Sequence, residues 1–448
     1  MLYPVLQDPL HQIVSSLFDR PRGASIGQML FGAGEQGAWY DVADMSTLFQ
    51  DAAGATPVTA VEQQVGRMLD KSGRGNHATQ VTAAKRPVFS RRYNTWLSTE
   101  DPASFGALNA SLTAAPAGPL HFELADDTAT DVHRAHIGYF SFGENKTFTC
   151  SFLAKPLASS RYLYANVAGG APGVVFDLLN GVVVFQGGEG TEDLSSEISL
   201  DVSTGICACK MRFTQKLTFT NSAWRFGLTT TGVNEQSYAG GGTQRVALGS
   251  ISITEGAFDI PYQRVNTATD YDADPGKFPA YLLFDGIDDG ATSPTGGGGT
   301  AGFFYSSAIT VAGGAGTART LFSDAGANTG YIVRINASNQ LELAAGNGTA
   351  YTTVASAAAM TAPTSAVVQA WDDGINLNVR IGSGPVASVA RPAVSAGTAD
   401  FTVGQDNGAS SGYFNGRICS TIYRKDSAPT LAQRDAVAAY QRLQARFA

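Results

Sequence analysis

Three sets of side chains in this chain could carry chemistry. The first is Trp371, Asp372 and Asp373 at one turn, with Asp406, Asn407 and Tyr413 in a second turn-rich stretch. An aromatic face stacks on a sugar ring, while carboxylate and amide groups hydrogen-bond its hydroxyls. The six residues therefore suit a carbohydrate, provided that the two loops meet at one rim. The second set is Asp285, Asp288 and Asp289 at a strand end, hard oxygen donors of the kind calcium takes. The third is Asp126, Asp127, Asp131, His133 and His136, where carboxylates and imidazoles are close enough in sequence for metal binding or acid–base work. An ordinary solvated loop has the same composition. Asp270, Asp272 and Asp274 imitate a calcium loop, but Pro275 stands where that loop needs Gly and Tyr281 where it needs Glu, so an acidic linker is expected.

Signs of catalysis are weak. Gly23–Gly27 and Gly408–Gly412 both read G-x-S-x-G, yet neither joins a strand to a helix as a nucleophile elbow must. No short E-x-D-x-E strand offers the paired carboxylates of a glycosidase. A non-catalytic protein that requires no cofactor, with calcium at the Asp285 trio as the one exception, is the expectation. Cys150, Cys207, Cys209 and Cys419 form no C-x-x-C pair and read as reduced, buried thiols. Trp39, Trp96, Trp224 and Trp371 could each stack on a sugar or fill a core.

These residues need a frame. The chain has 448 residues, with 15% charged, 44% hydrophobic and 51 glycines. Low charge and abundant Gly, Thr, Val and Tyr predict an all-β chain of two antiparallel β-sandwiches in tandem, with a short N-terminal helix and one C-terminal helix. Residues 1–36 open with Leu10, Ile13, Val14 and Leu17 at helical spacing, a stripe that needs a partner surface, followed by a Gly-rich connection. Residues 37–90 show little regular structure and read as a cap or neck. Residues 91–265 alternate as a sandwich, with a strand at 146–155 and a type I′ hairpin at Asn180-Gly181. Residues 266–277 are a polar linker. Residues 278–448 form the second sandwich, with turns at Asp372-Asp373-Gly374 and Asn415-Gly416. A helix capped by Thr430 and Gln433 closes it, carrying Leu431, Val437, Tyr440, Leu443 and Phe447 on one side. Net charge is −8 without a basic patch, which argues against nucleic acid as a partner. No apolar run is long enough to span a membrane, so membrane insertion is not expected.

The block Trp39-Tyr40-Asp41, Ser46–Asp51, Pro57-Val58-Thr59 and Asp70–Gln80 resembles the lead-in to lectin-like modules in structural proteins of tailed bacteriophages. Around Thr149–Lys155, Gly205–Phe213 and Leu248–Pro261 the chain resembles carbohydrate-binding-module-like jelly rolls, although the Gln and Glu of their usual Gly-Ala-Gln-Leu-Glu strand are replaced in Leu248–Ser252. Phe284–Asp289, Gly412–Arg417 and the closing helix resemble laminin-G or concanavalin-A-like lectin modules. The resemblance implies a virion structural protein, in a tail fibre or baseplate-type appendage at the particle surface. It also implies host-surface glycan as a ligand, other virion proteins as partners and a homotrimer anchored through Leu10, Ile13, Val14 and Leu17. A head decoration protein that binds no sugar and a polysaccharide depolymerase are the alternatives.

Overall fold

The computed structural model describes residues 25–447, apart from 116–117, 143–145, 159, 169–171, 189–190, 217–218, 235, 257–259, 295–298, 313–315, 361–363 and 408–411. Leu10, Ile13, Val14 and Leu17 lie outside the described residues. The chain is all-β, built from antiparallel sheets with two α-helices among the described residues. It divides into two compact units. A split unit joins residues up to Arg91 to Pro279–Ala448, and an inserted unit is Arg92–Phe278.

This division corrects two expectations. Residues 37–90 are not a neck but part of the second sandwich. Strand Gly37–Asp41 pairs antiparallel with Asn415–Lys425, and Val88–Ser90 pairs with Tyr281–Asp285. Gly37 is required by the first pairing, because its φ is 154° and a Cβ there would lie 2.1 Å from the Tyr423 carbonyl oxygen. Residues 266–277, expected as a polar linker between the sandwiches, are mostly exposed but belong to the inserted unit. Asn266 N–H donates to the Asp270 carbonyl at 2.9 Å, and Tyr271 and Phe278 are buried.

In the split unit two sheets enclose one core. One sheet runs Gln63–Gln64, Val88–Ser90, Tyr281–Asp285, Asn415–Lys425, Phe303–Val311, Thr364–Asp372, Asn376–Ile381, Ala387–Ala390. The other includes Ala291–Ser293, Phe401–Val403, Arg319–Ser323, Tyr331–Ile335, Gln340–Gly346 and Tyr351–Ala359. Phe303–Val311 is buried along its whole length because both faces are covered. Phe303 and Tyr305 enter the inter-sheet core, while Phe304 meets the helix Leu431–Ala445 on the far side. The Ser306 hydroxyl donates to Gln441 Oε1 at 2.5 Å on that same side. The helix starts as the sequence predicts, with a reciprocal Thr430–Gln433 capping box. Its buried face is Val437, Ala438, Tyr440, Gln441 and Ala445, whereas the expected Leu431 and Leu443 are exposed. Asn415-Gly416 is no hairpin turn but the start of a long strand. Gly416 stands there because a Cβ would meet the Thr310 carbonyl oxygen at 2.0 Å.

In the inserted unit two six-stranded sheets enclose a core of Phe122, Phe152, Phe176, Phe213, Trp224 and Phe226 among others. The strand expected at 146–155 is Lys146–Ala158. The turn after Gly173–Asp177 is longer than a two-residue type I′ turn. It spans Leu178–Gly181, and Asp177 accepts hydrogen bonds from the Leu179 and Asn180 backbone.

Candidate functional site

The six residues expected to form one sugar-binding rim do not come together. Trp371 lies under the C-terminal helix with Phe304, Ile422 and Val437, and the Arg434 guanidinium sits 4.4 Å from its ring centroid. Asp372 is fully buried, where it accepts hydrogen bonds from the Tyr331 hydroxyl at 2.7 Å, Arg391 Nε at 2.6 Å and the Gly374 N–H at 2.8 Å. Asp373 is at the exposed turn but is spent closing it, accepting the Ile375 and Asn376 N–H groups at 3.0 and 2.8 Å. The physical reason is register. Strand Thr364–Asp372 sits in a sheet covered on both faces, so its last two residues point into packed surroundings rather than to a rim.

Asp406 and Asn407 do meet at a site. With Tyr351, Arg334, Ile332, Ala344, Ala325 and Gly326 they line a hollow of ≈ 260 Å³ on the split unit. Trp371, Asp372, Asp373 and Tyr413 are not among its walls. The hollow follows from alternation along Tyr331–Ile335. Tyr331, Val333 and Ile335 fill the core, so Ile332 and Arg334 face outward. Register then sets Ala344 opposite Ile332 and Glu342 opposite Arg334. Small residues make the floor, and Arg334 is held by Glu342 at 2.6 Å. Tyr351 forms a wall, its hydroxyl donating to the Gly326 carbonyl at 2.7 Å. Burial, then the nearby Asp406 charge, raises the Tyr351 hydroxyl above its usual pKa, so it stays a neutral donor. One aromatic ring, a paired guanidinium, a carboxylate and an amide thus surround a space for one small polar ring. Tyr351 and Arg334 escaped the sequence reading. The signal present was the outward Arg of Tyr331–Ile335 beside the small residues of Gln340–Gly346.

Asp285, Asp288 and Asp289 are brought together, with ligand oxygens within 4.8 Å of one another. Their donor chemistry suits calcium. Part of it is already engaged: Asp285 Oδ1 accepts the Ile287 N–H at 2.8 Å, and Asp289 Oδ2 accepts the Asp285 N–H at 2.9 Å. Turn closure accounts for those two oxygens without an ion. Burial pushes the Asp289 carboxyl up to about 6, and the charges of Asp285 and Asp288 add to the rise. A raised folded-state pKa stabilises below the unfolded value and loses that stabilisation as pH climbs through about 6. Asp289→Asn should therefore be more stable than the parent by about 1–2 kcal/mol at pH 7 and equal to it near pH ~3, below the unfolded carboxylate value. Urea unfolding at the two pH values checks this; a difference that does not change with pH would contradict it.

Asp127 and Asp131 are exposed, whereas several other sequence candidates have structural places. Asp126 is buried and accepts the Gly241 and Gln244 N–H groups at 3.1 and 2.9 Å. The buried His133 ring lies between the Asn109 and Tyr238 carbonyls at 2.5 and 3.3 Å. Asp272 and Asp274 both face Lys277 at 3.6 Å, and Asp270 faces Arg264 at 3.3 Å. Trp39, Trp96 and Trp224 are buried, as are the four free cysteines. Ser25 caps the helix Ile26–Phe31, and Gly408–Ser411 lie outside the described residues.

The resemblance block around 39–80 has a structural explanation too. The Asp70 carboxylate accepts the Trp39, Ser72 and Asn76 N–H groups at 2.9, 2.8 and 3.0 Å and the Ser72 hydroxyl at 2.6 Å. Asn76 Nδ2 donates to the Gly37 carbonyl at 2.6 Å, and Lys71 bridges Asp41 and Asp44, at 2.9 Å each. The motif is a clasp that fastens the first strand of the split unit.

No protein family and no curated protein matches the chain in sequence. Among solved structures, it is similar to domains LG4-5 of the mouse laminin alpha1 chain, at 10% identity and a TM-score of 0.25, covering 72% of this chain and 95% of that one. It is similar to the Trypanosoma rangeli sialidase, solved with sialic acid, at 9% identity and a TM-score of 0.27, covering 75% and 63%. It is also similar to a tail fibre protein of an E. coli phage, at 10% identity and a TM-score of 0.18, covering 73% and 40%. The chain thus spans less than two thirds of the sialidase and of the tail fibre protein. Likenesses at this level are coarse relationships of β-rich fold and carry no activity.

Proposed function

We propose that this protein is a structural component of a tailed-phage virion, in a fibre or baseplate-type appendage, that binds host-surface carbohydrate without cleaving it. The hollow of Tyr351, Arg334, Asp406 and Asn407 carries the binding part of this reading, because its size and mixed aromatic and polar lining suit one sugar residue. The virion setting is supported by the resemblance of the 39–80 block to lead-in segments of phage structural proteins. A homotrimer assembled through the N-terminal stripe belongs to the same reading.

Binding of purified protein to host envelopes tests the ligand assignment. Tyr351→Ala and Asp406→Ala should each weaken binding by about tenfold or more, through loss of a stacking surface and of a charged acceptor. Melting temperatures should stay within a few degrees of the parent. Full binding by both variants would remove the hollow from the account.

A further inference from the structure

The inserted unit carries a hollow of its own. In strand Lys146–Ala158, Cys150, Phe152 and Ala154 turn into the core, so Lys155 and Leu157 face outward. Register sets Lys155 beside Ala247, and Ala247 beside Glu123 on the next strand. A methyl group between two long side chains leaves a depression, walled by Leu157, Leu120 and Ile206 and edged by Thr204, with a volume of ≈ 570 Å³.

The two charged residues of this row differ. Glu123 is neutralised by an ion pair with Arg245. Lys155 is half-buried, and among the described residues no carboxylate lies within ion-pair distance of it. Its stem runs past the Ser203–Gly205 turn, with Cε 3.7 Å from the place a Gly205 Cβ would take. The hollow therefore has apolar walls and one uncompensated ammonium, in a chain whose net charge is −8. Burying an apolar face against Leu157 and Leu120 while meeting the ammonium requires an anion on a compact, partly apolar body.

We propose that this hollow binds a carboxylate borne on an apolar-faced body, with Lys155 as its counter-ion and Ala247 as its floor. A uronic-acid residue of a glycan and an acyl carboxylate share that chemistry. Calorimetric titration of the full chain with trigalacturonate and with octanoate, beside neutral maltotriose and octanol, tests it. At least one carboxylate should bind, about tenfold more tightly than its neutral counterpart. Lys155→Met, which keeps the stem, should remove that preference, and Lys155→Arg should retain it. Ala247→Leu should abolish binding by filling the floor, with the melting temperature of each variant confirming the fold. Binding of trigalacturonate supports the proposal with a sugar as the source, and binding of octanoate supports it with an acyl chain. Binding of neither, or an undiminished preference in Lys155→Met, overturns it. Tyr351→Ala and Asp406→Ala should leave these titrations unchanged, so this proposal can fail or stand apart from the one above.

Discussion

Replacing Asp372 by Ala should destabilise the split unit by about 3–5 kcal/mol, the cost of leaving the other half of a buried ion pair uncompensated. Asp372 is 0% exposed, and Arg391, with its side chain 17% exposed, meets it with Nε 2.6 Å away. The Tyr331 hydroxyl and the Gly374 N–H lose their acceptor in the same step. Tyr331 stacks on Phe303 with ring centroids 4.5 Å apart, so the disturbance reaches the centre of the core. The double variant Asp372→Ala with Arg391→Met should recover a clear part of the loss, because the stranded cation is gone. Urea unfolding of the parent, both single variants and the double variant gives the cycle. A loss below about 1 kcal/mol in Asp372→Ala would show that this carboxylate does not hold the turn.

Asp70→Ala should cost about 3–4 kcal/mol. One carboxylate there satisfies three backbone N–H groups and a hydroxyl, and charged acceptors are worth about 1.5–3 kcal/mol to such donors, less what water restores. Asp70→Asn keeps one acceptor oxygen and should cost about half as much. The loss should also free the edge strand Gly37–Asp41, whose Trp39 N–H is one of the four donors. Hydrogen exchange at Trp39 and Tyr40 should then accelerate more than exchange in the interior strand Phe303–Val311. Equal acceleration in both strands would mean that the clasp is not local.

What could be read from the sequence depended on the range of the signal. The strand Lys146–Ala158 alternates Phe148, Cys150, Phe152 and Ala154 inward, a local pattern visible in the residues themselves. The capping box at Thr430 and Gln433 is equally local. The insertion of one unit into the other was not legible, since it rests on pairings such as Trp39 with Ile422 that no local pattern encodes. Two-residue strands such as Arg67–Met68 and Ala78–Thr79 are too short to alternate. The site was half legible for the same reason. Asp406 and Asn407 stand out in a turn, whereas Arg334 and Tyr351 join them only through the register of three neighbouring strands. Trp371 misled because a strand end beside a turn looks exposed until the covering helix is known, and Asp372 because Tyr331 and Arg391 reach it only through the fold.

The proposed place of this protein on a virion is open to direct observation. Particles purified to homogeneity can be labelled with gold-conjugated antibody against the split unit and imaged, with mass spectrometry giving the copy number. Label is expected only at the tail or its appendages, at a copy number that is a multiple of three. Label spread over the head, or absence of the protein from intact particles, would contradict it.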